Sequence, residues 1–137
     1  MKEFIKVNAG WGDLRKNVLV DVSKIVAYEP DVQGDFTNIY TFFDEFDVKG
    51  EITEFDFSNF LKFTDIYGNR VLINGKYIES FNEYKLLQHE KVDDEDECTV
   101  ICCGKHEFQV KDSSDDVLKQ LNAKVIPKAK KVVIIEK

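Results

Sequence analysis

Three blocks of the chain occur twice in the same order, and this recurrence limits the folds open to it more than any other feature. Phe4-Ile5-Lys6-Val7 matches Phe60-Leu61-Lys62-Phe63. Val18-Leu19-Val20-Asp21 matches Val71-Leu72-Ile73-Asn74, and Ile25 matches Ile78. Phe46-Asp47-Val48-Lys49 matches Phe108-Gln109-Val110-Lys111. Matched residues lie 56 positions apart in the first block, 53 in the second and 62 in the third. The first copy therefore carries 3 extra residues in its first turn, and the second carries 9 extra between Ile78 and Thr99. Both changes of length fall between predicted strands, where insertions are tolerated best. The shared order points to a tandem duplication.

Each copy reads as short alternating runs separated by turn residues. Residues 4–8, 17–22, 24–28, 37–43 and 46–49 have the β-branched, aromatic and period-2 character of strands. Gly10-Trp11-Gly12-Asp13 reads as a turn, and Gly34 supplies turn freedom after Pro30. The second copy ends in a helix start. Ser113 precedes Ser114-Asp115-Asp116-Val117-Leu118-Lys119-Gln120-Leu121. A Ser cap satisfies the N–H of residue 116, and two acids complement the positive end of the helix dipole. Val117, Leu118 and Leu121 share a face that would pack on a sheet, and Asn122-Ala123 ends the helix. The matching stretch of the first copy, Gly50-Glu51-Ile52-Thr53-Glu54-Phe55, lacks the cap, so at most a short helical turn is expected there.

The predicted fold is mainly β, with α+β as the alternative. Two small antiparallel sheets or partly open barrels stand in tandem, with a short helix near the C-terminus. Residues 1–57 form the first β repeat, and residues 58–123 form the second with its helix. Residues 124–137 form a basic tail with a terminal strand at 131–136 (Lys-Val-Val-Ile-Ile-Glu). A unit of fewer than about 70 residues stabilises itself poorly, so the copies are expected to share apolar surface. An uncovered strand of the terminal composition invites aggregation, so it is expected to pair, in the same chain or across a dimer.

Gly68-Asn69-Arg70-Val71-Leu72-Ile73-Asn74, Ile78-Glu79 and Val110-Lys111-Asp112-Ser113-Ser114-Asp115-Asp116-Val117 together resemble a family of small bacterial and phage-type β-rich proteins, of which the flagellar FlbD-like proteins are one branch. The resemblance covers the second copy nearly end to end except for its insertion. It departs in the first copy, where Gly50 and Glu51 stand in place of Asp112 and Ser113. The resemblance implies a binding or regulatory role and carries no catalytic residues with it.

Charge and chemistry narrow the function further. With 19 basic and 26 acidic residues the net charge is −7. An acidic body repels a phosphate backbone, so nucleic-acid binding by the body is not expected. The basic residues of the tail, Lys124, Lys128, Lys130, Lys131 and Lys137, dress the last strand. No apolar run approaches the roughly 20 residues of a bilayer span, and no apolar leader is visible at the start. The expected location is the cytoplasm, with Cys98, Cys102 and Cys103 as reduced thiols.

Cys98, Cys102, Cys103 and His106 lie close enough to suggest zinc. Strand alternation puts Cys98 and Cys102 on one face and Cys103 on the other, and no second cluster completes a tetrahedral set. The reading is buried thiols and no metal. Asp93-Asp94-Glu95-Asp96-Glu97 lacks the glycine of a calcium loop and reads as a solvated loop tip. His89 and His106 are the only imidazoles, neither stands in a nucleophile signature, and no glycine-rich phosphate loop occurs. No catalytic residue and no cofactor is assigned. The many rings between Phe36 and Phe63 are interleaved with acids, which suits core packing rather than base stacking. Trp11, in its Gly-Trp-Gly turn, is the one candidate anchor for a partner. The expected function is a non-catalytic cytosolic protein-binding or assembly module, with a protein partner or self-association. The alternatives are an accessory or regulatory protein of phage or mobile-element origin, and an enzyme of unrecognised type.

Overall fold

A computed structural model of the chain describes residues 1–10, 14–30, 36–50, 52–53, 55–91 and 97–126. The protein is mainly β, and the described residues form ten strands in two antiparallel sheets and one short helix near the C-terminal end. The strands are β1 (Phe4–Ala9), β2 (Lys16–Asp21), β3 (Ile25–Pro30), β4 (Phe36–Thr41), β5 (Glu45–Lys49), β6 (Leu61–Thr64), β7 (Arg70–Ile73), β8 (Ser80–Lys85), β9 (Glu97–Cys103) and β10 (His106–Val110). Helix α1 spans Ser114–Leu121. One sheet has seven strands in the order β2-β1-β5-β4-β3-β7-β6, and the other has three in the order β10-β9-β8. Neither closes into a barrel among the described residues.

Strand order and register recur between the halves. Ile5 faces Val20 across β1 and β2, and Leu61 faces Ile73 across β6 and β7. Tyr28 faces Ile39, and Phe81 faces Ile101. Ala9 faces Val48, and Asp65 faces Val110. A 3-10 turn follows β2 at Val22–Lys24 and another follows β7 at Gly75–Tyr77. Each is capped by the acid or amide before it: Asp21 accepts from the Ser23 N–H at 2.9 Å, and Asn74 accepts from the Lys76 N–H at 3.3 Å. The side chain at such a position takes up a donor that the short turn leaves without a backbone partner. Two buried hydroxyls match as well. Thr37 Oγ1 donates to the Gly50 carbonyl at 3.0 Å, and Thr99 Oγ1 donates to the Asp112 carbonyl at 2.7 Å.

The pairing crosses residue 58. β3 pairs with β7, setting Ala27 opposite Ile73 and Tyr28 opposite Leu72, so the larger sheet takes two strands from the second half. Residues 25–28 are all buried because this strand is covered on both faces. Ile25 and Tyr28 join a first core with Ile5, Val7, Val20, Ile39 and Val48. Val26 and Ala27 join a second with Phe63, Val71, Ile73, Ile101, Phe108 and Val110. Tyr40 and Phe42 of the first half also pack against the second core, so the halves share apolar surface. Gly104 fits because a Cβ there would lie 2.8 Å from Phe42, and its φ of +61° suits glycine.

The two cores have different covers. Val117 of α1 is fully buried on the second core, with Leu121 beside it. The helix forms as its sequence suggests. Ser113 Oγ accepts from the Asp116 N–H at 3.2 Å, and Asn122 ends it in the left-handed conformation at φ 51°. On the first core an irregular aromatic segment takes this place. Phe57 stacks on Tyr28 at 4.2 Å between centroids and meets Phe60 edge-on at 5.2 Å. The helix also settles where the larger sheet stops. The Gln120 amide accepts from the Lys62 N–H at 3.0 Å and donates to its carbonyl at 2.7 Å. Asp112 accepts from the Thr64 N–H at 2.9 Å. These side chains satisfy β6 along the edge that faces β10, which β10 itself meets only at one bridge.

Candidate functional site

The residues singled out for metal chemistry are built into the fold. Cys98 sits in a small core with Ile66, Leu86 and Val100, with Cys102 packed against it, while Cys103 faces the second core. This is the division that strand alternation requires. Burial pushes the Cys103 thiol up to about 12. His106 is buried against Tyr40, ring edge to face at 4.9 Å, and its Nε2 donates to the Thr41 carbonyl at 2.8 Å. That bond ties the β9–β10 hairpin to the tip of the β4–β5 hairpin. His89 lies exposed in a 3-10 turn at Gln88–Glu90, far in sequence from His106. Among the described residues no group of three or more His, Cys, Asp or Glu side chains is placed to hold a metal ion. Trp11, residues 93–96 of the acidic run and the terminal strand at 131–136 lie outside the described residues.

A groove of about 780 Å³ crosses the larger sheet. β2 contributes Lys16, β3 Glu29, β4 Phe36, β5 Asp47 and β7 Arg70. The lining thus comes from both halves, joined by the β3–β7 pairing. Leu14, at one side, is 83% exposed, and Phe36 is 44% exposed. The Arg15 guanidinium lies 5.1 Å over the Phe36 ring and donates to the Asn8 carbonyl at 3.3 Å, which holds the ring in place. Gly10 and Leu14, the described residues on either side of residues 11–13, both line the groove.

At the floor, burial holds the Glu29 carboxyl above its ordinary range. A hydrogen bond from Tyr40 opposes that shift, and the charges of Asp65 and Glu45 add to it. The Tyr40 hydroxyl is likewise held above its ordinary range, first by burial and then by donating to Glu29. The pair is a positioned acid and phenol, but the described lining contains no Cys, His, Ser or Thr to serve as a nucleophile or imidazole base. Apolar side chains stand beside charges of both signs in the lining.

Sequence reasoning did not find the groove. Glu29, Phe36, Asp47 and Arg70 sit on four strands, and the sheet order alone brings them together. No spacing along the chain signals it. A smaller cavity of about 390 Å³ lies where the halves meet, lined by Lys24, Thr41, Phe42, Phe43, Asp44 and Tyr77. The Tyr77 hydroxyl there donates to the Ser23 carbonyl. No helix among the described residues is long and apolar enough to cross a membrane. Comparison with protein-family models, with curated proteins and with solved structures found no match.

Proposed function

We propose that the chain is a non-catalytic protein-binding module, built from a duplicated β unit, that receives a protein partner in the groove spanning β2, β3, β4, β5 and β7. The observation that carries this reading is the exposure of Leu14 and Phe36 beside a groove rimmed by charges of both signs. Large apolar side chains grouped at a concavity mark contact surfaces more often than scattered ones do. Trp11, which follows Gly10 in the chain, is the proposed further anchor. The net charge of −7 favours a protein over a nucleic acid. Three free thiols suit the reducing cytoplasm. The likeness of residues 68–79 and 110–117 to FlbD-like proteins points toward binding or regulation as well.

Affinity capture from a native extract tests this. The intact chain recovers a stoichiometric protein partner, and a Leu14→Asp, Phe36→Asp variant loses it while melting at the same temperature. Recovery of no partner, or equal recovery by the variant, overturns the reading.

A further inference from the structure

The outer edge of β2 is open in a way that its counterpart in the second half is not. Among the described residues β2 ends the larger sheet and pairs only with β1. The Val22 N–H bonds to the Glu3 carbonyl at 3.0 Å, so alternation turns the N–H groups of Asn17, Leu19 and Asp21 outward. Leu19 is 63% exposed. Leu72, at the matching position of β7, is 8% exposed, because β3 pairs along that edge and sets Tyr28 opposite it. One copy of the edge is covered by a strand, while the other presents a leucine and three unpaired donors to solvent among the described residues.

We propose that residues 131–136 of the same chain dock on this edge as an antiparallel strand, with Lys131 opposite Asp21 and Glu136 opposite Lys16. This goes beyond the groove reading, since Leu19 does not line the groove. Three observations choose the occupant. First, β2 reads Lys-Asn-Val-Leu-Val-Asp and residues 131–136 read Lys-Val-Val-Ile-Ile-Glu, six residues each with a cation first and an acid last. Antiparallel pairing joins opposite charges at both ends and sets Val133 opposite Leu19. Parallel pairing would join like charges at both ends. Second, the chain leaves α1 on the correct side. The Leu121 side chain lies against Gly75, with 3.3 Å to a Cβ built there. Tyr77, two residues on, bonds to Ser23, two residues past Asp21. The C-terminal end of the helix thus lies near the Asp21 end of β2, where Lys131 is required. Third, ten residues from Leu121 to Lys131 span up to about 33 Å when extended, ample for such a path.

Amide hydrogen exchange by NMR on the full-length chain tests the proposal. The Leu19 amide exchanges at least about tenfold more slowly than an open edge amide, and Val133→Pro abolishes that protection while the Ile5 amide keeps its own. Lys16→Glu speeds exchange at Leu19, and Lys16→Glu with Glu136→Lys restores it. Free exchange at Leu19 in the unaltered chain overturns the proposal, as does protection that Val133→Pro leaves intact. Light scattering on the same samples gives the mass of a single chain. A dimer that reverts to single chains on Val133→Pro overturns docking within the chain and assigns the segment to a second copy. Because neither Leu14 nor Phe36 is altered, partner capture by the groove survives Val133→Pro, so the two readings fail separately.

Discussion

At the scale of single residues, the most telling groups are polar ones inside the fold. The Thr37 and Thr99 hydroxyls hold the carbonyls of Gly50 and Asp112 at equivalent points of the two halves. Replacing either by Val leaves a carbonyl without its donor, so each variant is expected to lose about 1–2 kcal/mol in urea unfolding, by similar amounts. Glu29 gives a pH signature. Its folded pKa lies above the unfolded one, so between the two values the native state binds the extra proton. Its contribution is present below the unfolded pKa and is lost as pH rises through the folded one. Glu29→Gln keeps an acceptor for Tyr40 and removes the titration. The variant is expected to melt above the parent at pH 7, with the difference closing toward pH 4 in thermal scans. Alternation also separated the three cysteines correctly from sequence. Cys103 was recognisable as a core residue because it falls on the same face of β9 as Ile101, whereas the bond from His106 to Thr41 spans 65 residues and has no local trace.

At the scale of elements, the helix was legible because its causes are local. Ser113, Asp115 and Asp116 state a helix start within four residues. Ser113→Ala is expected to cost about 1 kcal/mol, read from denaturant unfolding. The aromatic cover on the first core was not legible. Phe55, Phe57 and Phe60 follow neither a helical nor a strand period, and they are placed by ring contacts with one another and with Tyr28. The Gln120 amide was equally invisible, because its partner on β6 lies 58 residues away. Gln120→Ala strips both the N–H and the carbonyl of Lys62 of their partners. Faster exchange at the Lys62 amide is expected, ahead of any change in Leu121.

At the scale of the whole molecule, the sequence blocks predicted strands and their order but not which edges meet. The strand pattern of residues 25–28 resembles any buried run, and nothing in it names β7 as the neighbour. The result is that Val26, Ala27, Tyr40 and Phe42 of the first half are built into the second core. Neither half can open without uncovering the other. A single calorimetric transition is expected, with equal calorimetric and van't Hoff enthalpies, despite the recurring strand order. Two separated transitions would show that the halves open independently. The joint between β3 and β7 has a further consequence for how such a chain can grow. It uses the trailing margin of one unit and the leading margin of the next, and it leaves one margin of each kind at the outer ends. Gene fusion could therefore lengthen the molecule indefinitely with the same coupling, much as carriages join a train, unless the last carriage carries something that occupies the leading margin of the first.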